Sequence, residues 1–98
     1  MFGSRFKSIV ASQLDLFARE NQLLLKRIAD SLDEYNRAER DEAEELFGDY
    51  MDAHAVAAEI LEEMRDHYAR TLEDPDEYVE VFNRGVQKRW PVTATELD

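Results

Sequence analysis

The sequence contains no cysteine, and only three glycines and two prolines among its 98 residues. The lack of cysteine excludes disulfide bonds, thiolate zinc sites and cysteine nucleophiles, and it favours a reducing, cytoplasmic location. Because glycine and proline are scarce, they interrupt the chain at few points, and long helices are favoured. The sequence also has no glycine-rich loop of the kind that binds nucleotide phosphates.

Long apolar runs are absent as well. Charged residues such as Asp15 and Arg19 interrupt the apolar positions of residues 1–25, so we expect neither a signal peptide nor a membrane-spanning helix. With 44% hydrophobic residues, the chain can form one small domain with a core. Domains of this size often gain further burial by dimerising.

Basic residues are scarce in the middle of the chain. Between Glu39 and Glu77 there are fifteen acidic residues and three arginines, a net charge of -12, compared with -11 for the whole chain. The same segment has a helical apolar pattern, which predicts a folded helix with one acidic face rather than a disordered tail. This charge opposes binding to nucleic acid and is compatible with a basic protein as a partner.

Apolar residues recur at intervals of three and four along two long segments, which predicts two helices over about 5–36 and 41–72. Few large apolar side chains occur between Asn36 and Glu45, so the connection is expected near residues 37–41. A turn at Gly48 is the alternative. Two helices of matched length joined by a short connection predict a long antiparallel hairpin.

A short third helix is predicted over about residues 75–89. Asp74 can cap its N-terminus, Pro75 suits its first position and Pro91 would end it. Residues 92–98 are expected to form a flexible tail. The predicted fold is therefore all-α, with a single helical domain over residues 1–91.

The predicted first helix has a second apolar row on a side away from its main stripe. A helix in a two-helix hairpin needs one apolar face, so this second row requires another partner. The third helix is too short to cover the row alone, and we predict a homodimer in which two hairpins form a helical bundle. The predicted dimer interface consists of Phe2, Ile9, Leu16 and Leu23.

Two polar residues occupy positions where the apolar pattern calls for core side chains. Asn21 lies near the centre of the first apolar stripe, and His54 lies near the centre of the second. In a hairpin that turns near residue 38, they face each other, which predicts a buried hydrogen bond that determines helix register. A pocket or pH switch is the alternative, because histidine titrates near neutral pH.

Carboxylates on the second helix form a pattern found in a family of metal enzymes. Glu42-x-x-Glu45 followed by Glu63-x-x-Asp66 resembles the magnesium-binding pattern of the all-α, MazG-like nucleotide pyrophosphohydrolases, and His67 follows four residues after Glu63. The resemblance implies a metal-dependent hydrolase with carboxylates around a pocket. Helical geometry instead turns them outward, so we predict no metal site, cofactor or catalytic residue; stoichiometric binding of magnesium or manganese would favour the hydrolase.

An exposed acidic surface is predicted on the second helix, and its members are Asp52, Glu59, Glu63 and Asp66. Such a surface keeps a small protein soluble, and it can also dock to a basic partner. The sequence thus favours a non-enzymatic, homodimeric interaction or assembly module that binds neither nucleic acid nor membrane. The alternatives are a pyrophosphohydrolase-like enzyme and an acidic docking protein.

Overall fold

The computed structural model describes residues 5–98, and the prediction of an all-α fold is confirmed for this range. None of the helices in these residues is both long enough and apolar enough to cross a membrane. Phe2 of the predicted dimer interface lies outside the described residues. The helices are α1 (Lys7–Glu20), α2 (Gln22–Asn36), α3 (Ala43–Ala69), α4 (Asp76–Arg89) and α5 (Pro91–Ala94).

The predicted first helix is divided into two helices at Asn21. The backbone of Asn21 leaves the helical conformation, with φ of -122° and ψ of 35°. Its side-chain Nδ2 donates a hydrogen bond of 2.9 Å to the carbonyl oxygen of Phe17. A side chain that bonds a carbonyl four residues earlier competes with the helical backbone and bends it. The prediction of one continuous helix is therefore wrong, because the apolar pattern continues across a residue whose side chain favours a bend.

The break at Asn21 gives α1 and α2 different partners. α1 packs against α4, whereas α2 packs along α3. The core lies where α1 and α4 meet the second half of α3. Its buried members are Phe6, Val10, Leu14, Phe17, Ala57, Leu61, Tyr78, Phe82 and Val86.

One end of the molecule is only two helices thick. We call this part the arm; it comprises α2, the connection at 37–42 and the first turns of α3, with Gly48 inside the helix. Within residues 5–98, no side chain of α2 is buried, and burial on α3 begins at Ala53. The Tyr35 and Phe47 rings meet across the arm with centroids 5.3 Å apart. The arm elongates the molecule to 51 × 24 × 22 Å.

The segment 91–98 folds back onto the other helices. It begins with the short helix α5, in which Thr93 is buried. Leu97, beyond the helix, packs against the core. The prediction of a flexible tail over residues 92–98 is wrong because the stability of this segment depends on contacts with α3 and α4, which its polar composition does not indicate.

α1 and α4 approach each other closely at Gly85. A Cβ atom added at Gly85 would lie 2.9 Å from Leu14 Cδ1 and 3.3 Å from Val10 Cγ1. Both of these side chains are buried, so they cannot move without disturbing the core. Gly48 is a natural control, because a Cβ added there would meet nothing within 4 Å.

We predict that Gly85→Ala lowers the free energy of unfolding by about 1–3 kcal/mol relative to Gly48→Ala. Alanine raises helix propensity by about 1 kcal/mol at either position, so this contribution cancels in the comparison. Urea unfolding followed by circular dichroism measures both values. Equal effects of the two substitutions would contradict tight packing between α1 and α4.

Candidate functional site

The buried polar residues of the described chain all lie where α3 meets the segment 91–98. They are His54, Arg65 and Thr93, with relative exposures of 6%, 6% and 2%. Elsewhere the core residues are aliphatic or aromatic, and the hydroxyl of Tyr78 donates a hydrogen bond of 2.7 Å to Gln13 Oε1. This concentration of polar groups makes the contact between α3 and the segment the candidate functional site.

His54 and Thr93 form the first polar contact of the site. His54 Nδ1 and Thr93 Oγ1 are 2.7 Å apart and share a hydrogen bond. The other ring nitrogen, Nε2, is buried and has no hydrogen-bond partner among the described residues. The Tyr50 ring packs edge-on against the imidazole with a centroid separation of 4.6 Å. One nitrogen of the imidazole therefore stays unpaired in either neutral tautomer, which makes this position costly for a stable core.

The surroundings of His54 favour its neutral form. Burial lowers the pKa of His54 below its ordinary value of 6.5, and the carboxylate of Glu96 opposes this effect. Tyr50 is the titratable neighbour on α3, and Glu96 is the charged group that acts from the segment. α2 and α4 contribute apolar side chains to the core near α3. The imidazole is therefore neutral at pH 7.

Arg65 and Glu62 form the second polar contact. Arg65 Nη1 donates hydrogen bonds of 3.0 Å to Asn83 Oδ1 and to the carbonyl oxygen of Asp98, and its Nε donates to Asp66. The backbone N–H of Asp98 donates a hydrogen bond of 2.7 Å to Glu62 Oε2. Side chains three residues apart on α3 thus bind both backbone groups of one residue. These bonds also satisfy the buried guanidinium, which would otherwise be strongly destabilising.

The predicted hydrogen bond between Asn21 and His54 is wrong. The amide of Asn21 bonds within its own helix, and His54 bonds Thr93, while its remaining nitrogen has no partner in the described chain. Contact between Tyr35 and Phe47 gives the reason. If α2 and α3 run in opposite directions from that contact, His54 lies opposite Ile28 and about two turns from Asn21.

The predicted dimer row is not a continuous surface in the described residues. Ile9 packs against the core. Leu16 and Leu23 are exposed, Leu23 at 83%, but the break at Asn21 places them on different helices. Their role in a dimer stays a prediction.

The candidate metal ligands do not converge. Residues 5–98 contain no group of three histidine or acidic side chains that could hold a metal ion. Asp66 is half-buried and accepts a hydrogen bond from Arg65 instead. The other four candidates, Glu42, Glu45, Glu63 and His67, are exposed.

The structure places most of the predicted acidic surface in solvent. Asp52, Glu59 and Glu63 are exposed, and within the described part of the chain they make no ion pair. Asp66 is half-buried and pairs with Arg65 at 2.8 Å. Three carboxylates therefore remain available to a partner.

Sequence reasoning missed Glu62, Arg65 and Thr93 as members of the site. Arg65 did carry a signal, because it lies four residues after Leu61 and eleven after His54, on the apolar face of α3. An arginine at such a position requires buried hydrogen-bond partners. Thr93 carried no comparable signal, because its partner lies 39 positions earlier in the chain.

No protein-family model, curated protein or solved structure matches this chain. Its function must therefore be inferred from the geometry of the molecule itself.

We predict that His54 makes the protein less stable in mild acid. Because the pKa of His54 is lower in the folded protein than the unfolded value of 6.5, the unfolded state binds more protons below that pH. The stability is complete above pH 6.5 and declines as the pH falls toward the folded pKa. Chemical unfolding of wild type and His54→Gln between pH 7 and pH 5 should show a steeper decline for wild type.

The comparison with His54→Gln removes the contributions of His67 and the carboxylates, which both proteins share. Parallel pH profiles would contradict a neutral, buried His54.

Proposed function

We propose that this protein is a small, non-enzymatic assembly module that forms a homodimer through its arm. The observation that carries the proposal is the exposure of large apolar side chains on a part of the molecule that is two helices thick. Leu32 on α2 and Phe47 on α3 are both exposed, Phe47 at 45%. Two helices alone cannot bury both of their apolar faces, and a second pair of helices can cover them.

The exposed residues belong to one flank of the arm, which we call the arm surface. At about 100° per residue, Leu25 and Leu32 lie on the same flank of α2, as Phe47 and Met51 do on α3. Met51 is half-buried. Leu25 is half-buried because it packs against the core, so it marks the edge of this surface. In the proposed dimer, α2 and α3 form an antiparallel hairpin, and the arm surfaces of two hairpins face each other in a four-helix bundle.

The distribution of charge on α3 favours this flank as the dimer interface. The exposed carboxylates of Asp52, Glu59 and Glu63 project more than about 90° away from Phe47 around the helix. Two arm surfaces can therefore meet without bringing these acidic residues together. Association through the acidic face would instead place like charges in contact, which is costly.

A non-enzymatic role is supported by how the chain uses its buried polar groups. His54 and Arg65 both hold the segment 91–98 through hydrogen bonds, so their polar atoms serve contacts within the fold. The lack of cysteine supports a cytoplasmic location for the proposed dimer.

We predict that Phe47→Glu converts the dimer to a monomer, because a charge in the centre of the apolar contact would be desolvated without a partner. Sedimentation velocity at increasing protein concentration measures the mass. Val56→Glu is the matched control, because Val56 lies on the opposite side of α3 with a similar exposure of 41% and receives the same charge.

Wild type and Val56→Glu should sediment as dimers under conditions in which Phe47→Glu is monomeric. A monomeric wild type, or equal loss of dimer in both variants, would contradict the role of the arm surface. Loss of dimer in Leu23→Glu alone would instead favour the row that includes Leu16 and Leu23.

The unpaired carboxylates support a second candidate function, docking to a basic protein. Asp52, Glu59 and Glu63 line one side of α3 at spacings of seven and four residues. Complementary charge on a partner would increase the rate of association with this surface.

We predict that an oligolysine peptide binds this surface and that binding weakens steeply between about 50 and 500 mM salt. Replacing Asp52, Glu59 and Glu63 by their amides should weaken binding, as measured by isothermal titration calorimetry, more than the same number of amides elsewhere. Equal weakening by both triple variants would show that net charge alone is responsible. The control variant carries Asp33→Asn, Glu34→Gln and Glu39→Gln, three exposed acids outside the surface.

A further inference from the structure

The contact between α3 and the segment 91–98 differs in kind from the rest of the core. Among residues 5–98, the buried polar or charged residues other than the aromatic Tyr78 are His54, Arg65 and Thr93, and each of them contributes to this contact. Arg65 and Glu62 bind the backbone of Asp98 rather than its side chain. Recognition of a backbone N–H and C=O by side chains is the chemistry with which a protein binds a peptide.

The segment itself has little internal stability. α5 contains four residues, which is too short for a helix to be stable alone. The backbone hydrogen bonds that follow it are turns, such as those from Thr95 to Val92 and from Glu96 to Thr93. This segment therefore depends on its contacts with α3 and α4, and a segment of this kind can open locally while the rest of the protein stays folded.

We propose that the face of α3 carrying His54, Glu62 and Arg65 is a peptide-binding site, and that residues 91–98 occupy it as an intramolecular ligand. The ligand class is a short acidic peptide with a threonine five residues before an aspartate and a leucine directly before that aspartate, as in Thr93, Leu97 and Asp98. This inference concerns a different surface from the arm and does not depend on the homodimer.

Each part of the site recognises one feature of such a peptide. His54 binds the threonine hydroxyl, and a ligand without it would leave both imidazole nitrogens unpaired in a buried position. Glu62 and Arg65 bind the backbone of the residue at the Asp98 position. The leucine contacts the edge of the core.

A groove adjoins the segment, but a competing peptide reaches His54, Glu62 and Arg65 only by displacing the segment. An open groove of about 520 Å³ runs between α4 and the segment, and its lining includes Asn83, Arg84 and Asp98. Asn83 also accepts a hydrogen bond from Arg65, so the groove adjoins the proposed site. Because the segment is tethered to the chain, its effective concentration is high, and a free peptide competes well only when the segment is weakened.

The test uses a fluorescein-labelled, amidated peptide with the sequence of residues 91–98 and fluorescence anisotropy on the full chain. A variant carrying Thr93→Val and Leu97→Ala weakens the segment and leaves the proposed site unchanged. We expect this variant to bind the peptide at least about tenfold more tightly than wild type, because the intramolecular competitor is removed. Circular dichroism confirms that its helices are retained.

Specificity is tested on the peptide, where substitutions cannot affect folding. Replacing the peptide threonine that corresponds to Thr93 by valine, with the one corresponding to Thr95 unchanged, should weaken binding by about tenfold or more, since a buried imidazole loses its partner. A scrambled peptide of the same composition controls for charge. Equal binding of the scrambled peptide, or no gain in affinity in the weakened variant, would overturn the proposal.

The tryptophan at position 90 provides a second measurement on the wild-type chain. Trp90 is the single tryptophan, it directly precedes the segment, and its ring lies 5.2 Å from that of Phe17. Because the tethered segment competes at an effective concentration on the order of millimolar, unlabelled peptide, which contains no tryptophan, should displace it only above about millimolar concentration, and Trp90 emission should then shift in a saturable manner. If the weakened variant does not fold, this wild-type measurement decides the question. No shift of Trp90 emission at high peptide concentration would then overturn the proposal.

Discussion

The rest of the structure depends on the bend at Asn21 between α1 and α2. At this bend the Asn21 side chain donates a hydrogen bond to the Phe17 carbonyl. The bend separates α1 from α2 and directs α1 onto α4, where the close approach at Gly85 closes the core. α2 packs mainly along α3, with Leu24, Leu25 and Ile28 against the core and its second half in the arm, where the molecule is two helices thick. The bend at Asn21 therefore lies between two different parts of the molecule. One is a compact end with a buried core, and the other is an end with exposed apolar residues.

The segment 91–98 completes the compact end through polar contacts together with the packing of Ala94 and Leu97 against the core. His54 and Arg65 lie on the same face of α3 and bind a segment that has few apolar residues of its own. Such contacts provide specificity with little net stability, because each group loses water when it becomes buried. The arm and this polar contact are consequently the two places at which we propose that a partner binds.

Individual residues show how far the sequence could predict this arrangement. The start of α4 follows from local chemistry, because Asp74 and Pro75 act within one turn. Asn21 and His54 were identified correctly as departures from the apolar pattern, but their proposed pairing was wrong. Their actual hydrogen-bond partners differ in sequence separation. Phe17 lies four residues from Asn21, whereas Thr93 lies 39 residues from His54. The spacing of apolar residues identifies the buried face of a helix, but it does not identify the residues that pack against that face.

The sequence by itself determined the all-α class and the acidic face of α3, since both follow from the spacing of side chains along single helices. It also indicated that His54 lies on a core-facing position. Only the tertiary structure decided that α1 and α2 separate, that Arg65 is buried and that the segment 91–98 is bound. These features depend on contacts between residues far apart in the chain, and the free energy of such contacts is not encoded in any local pattern.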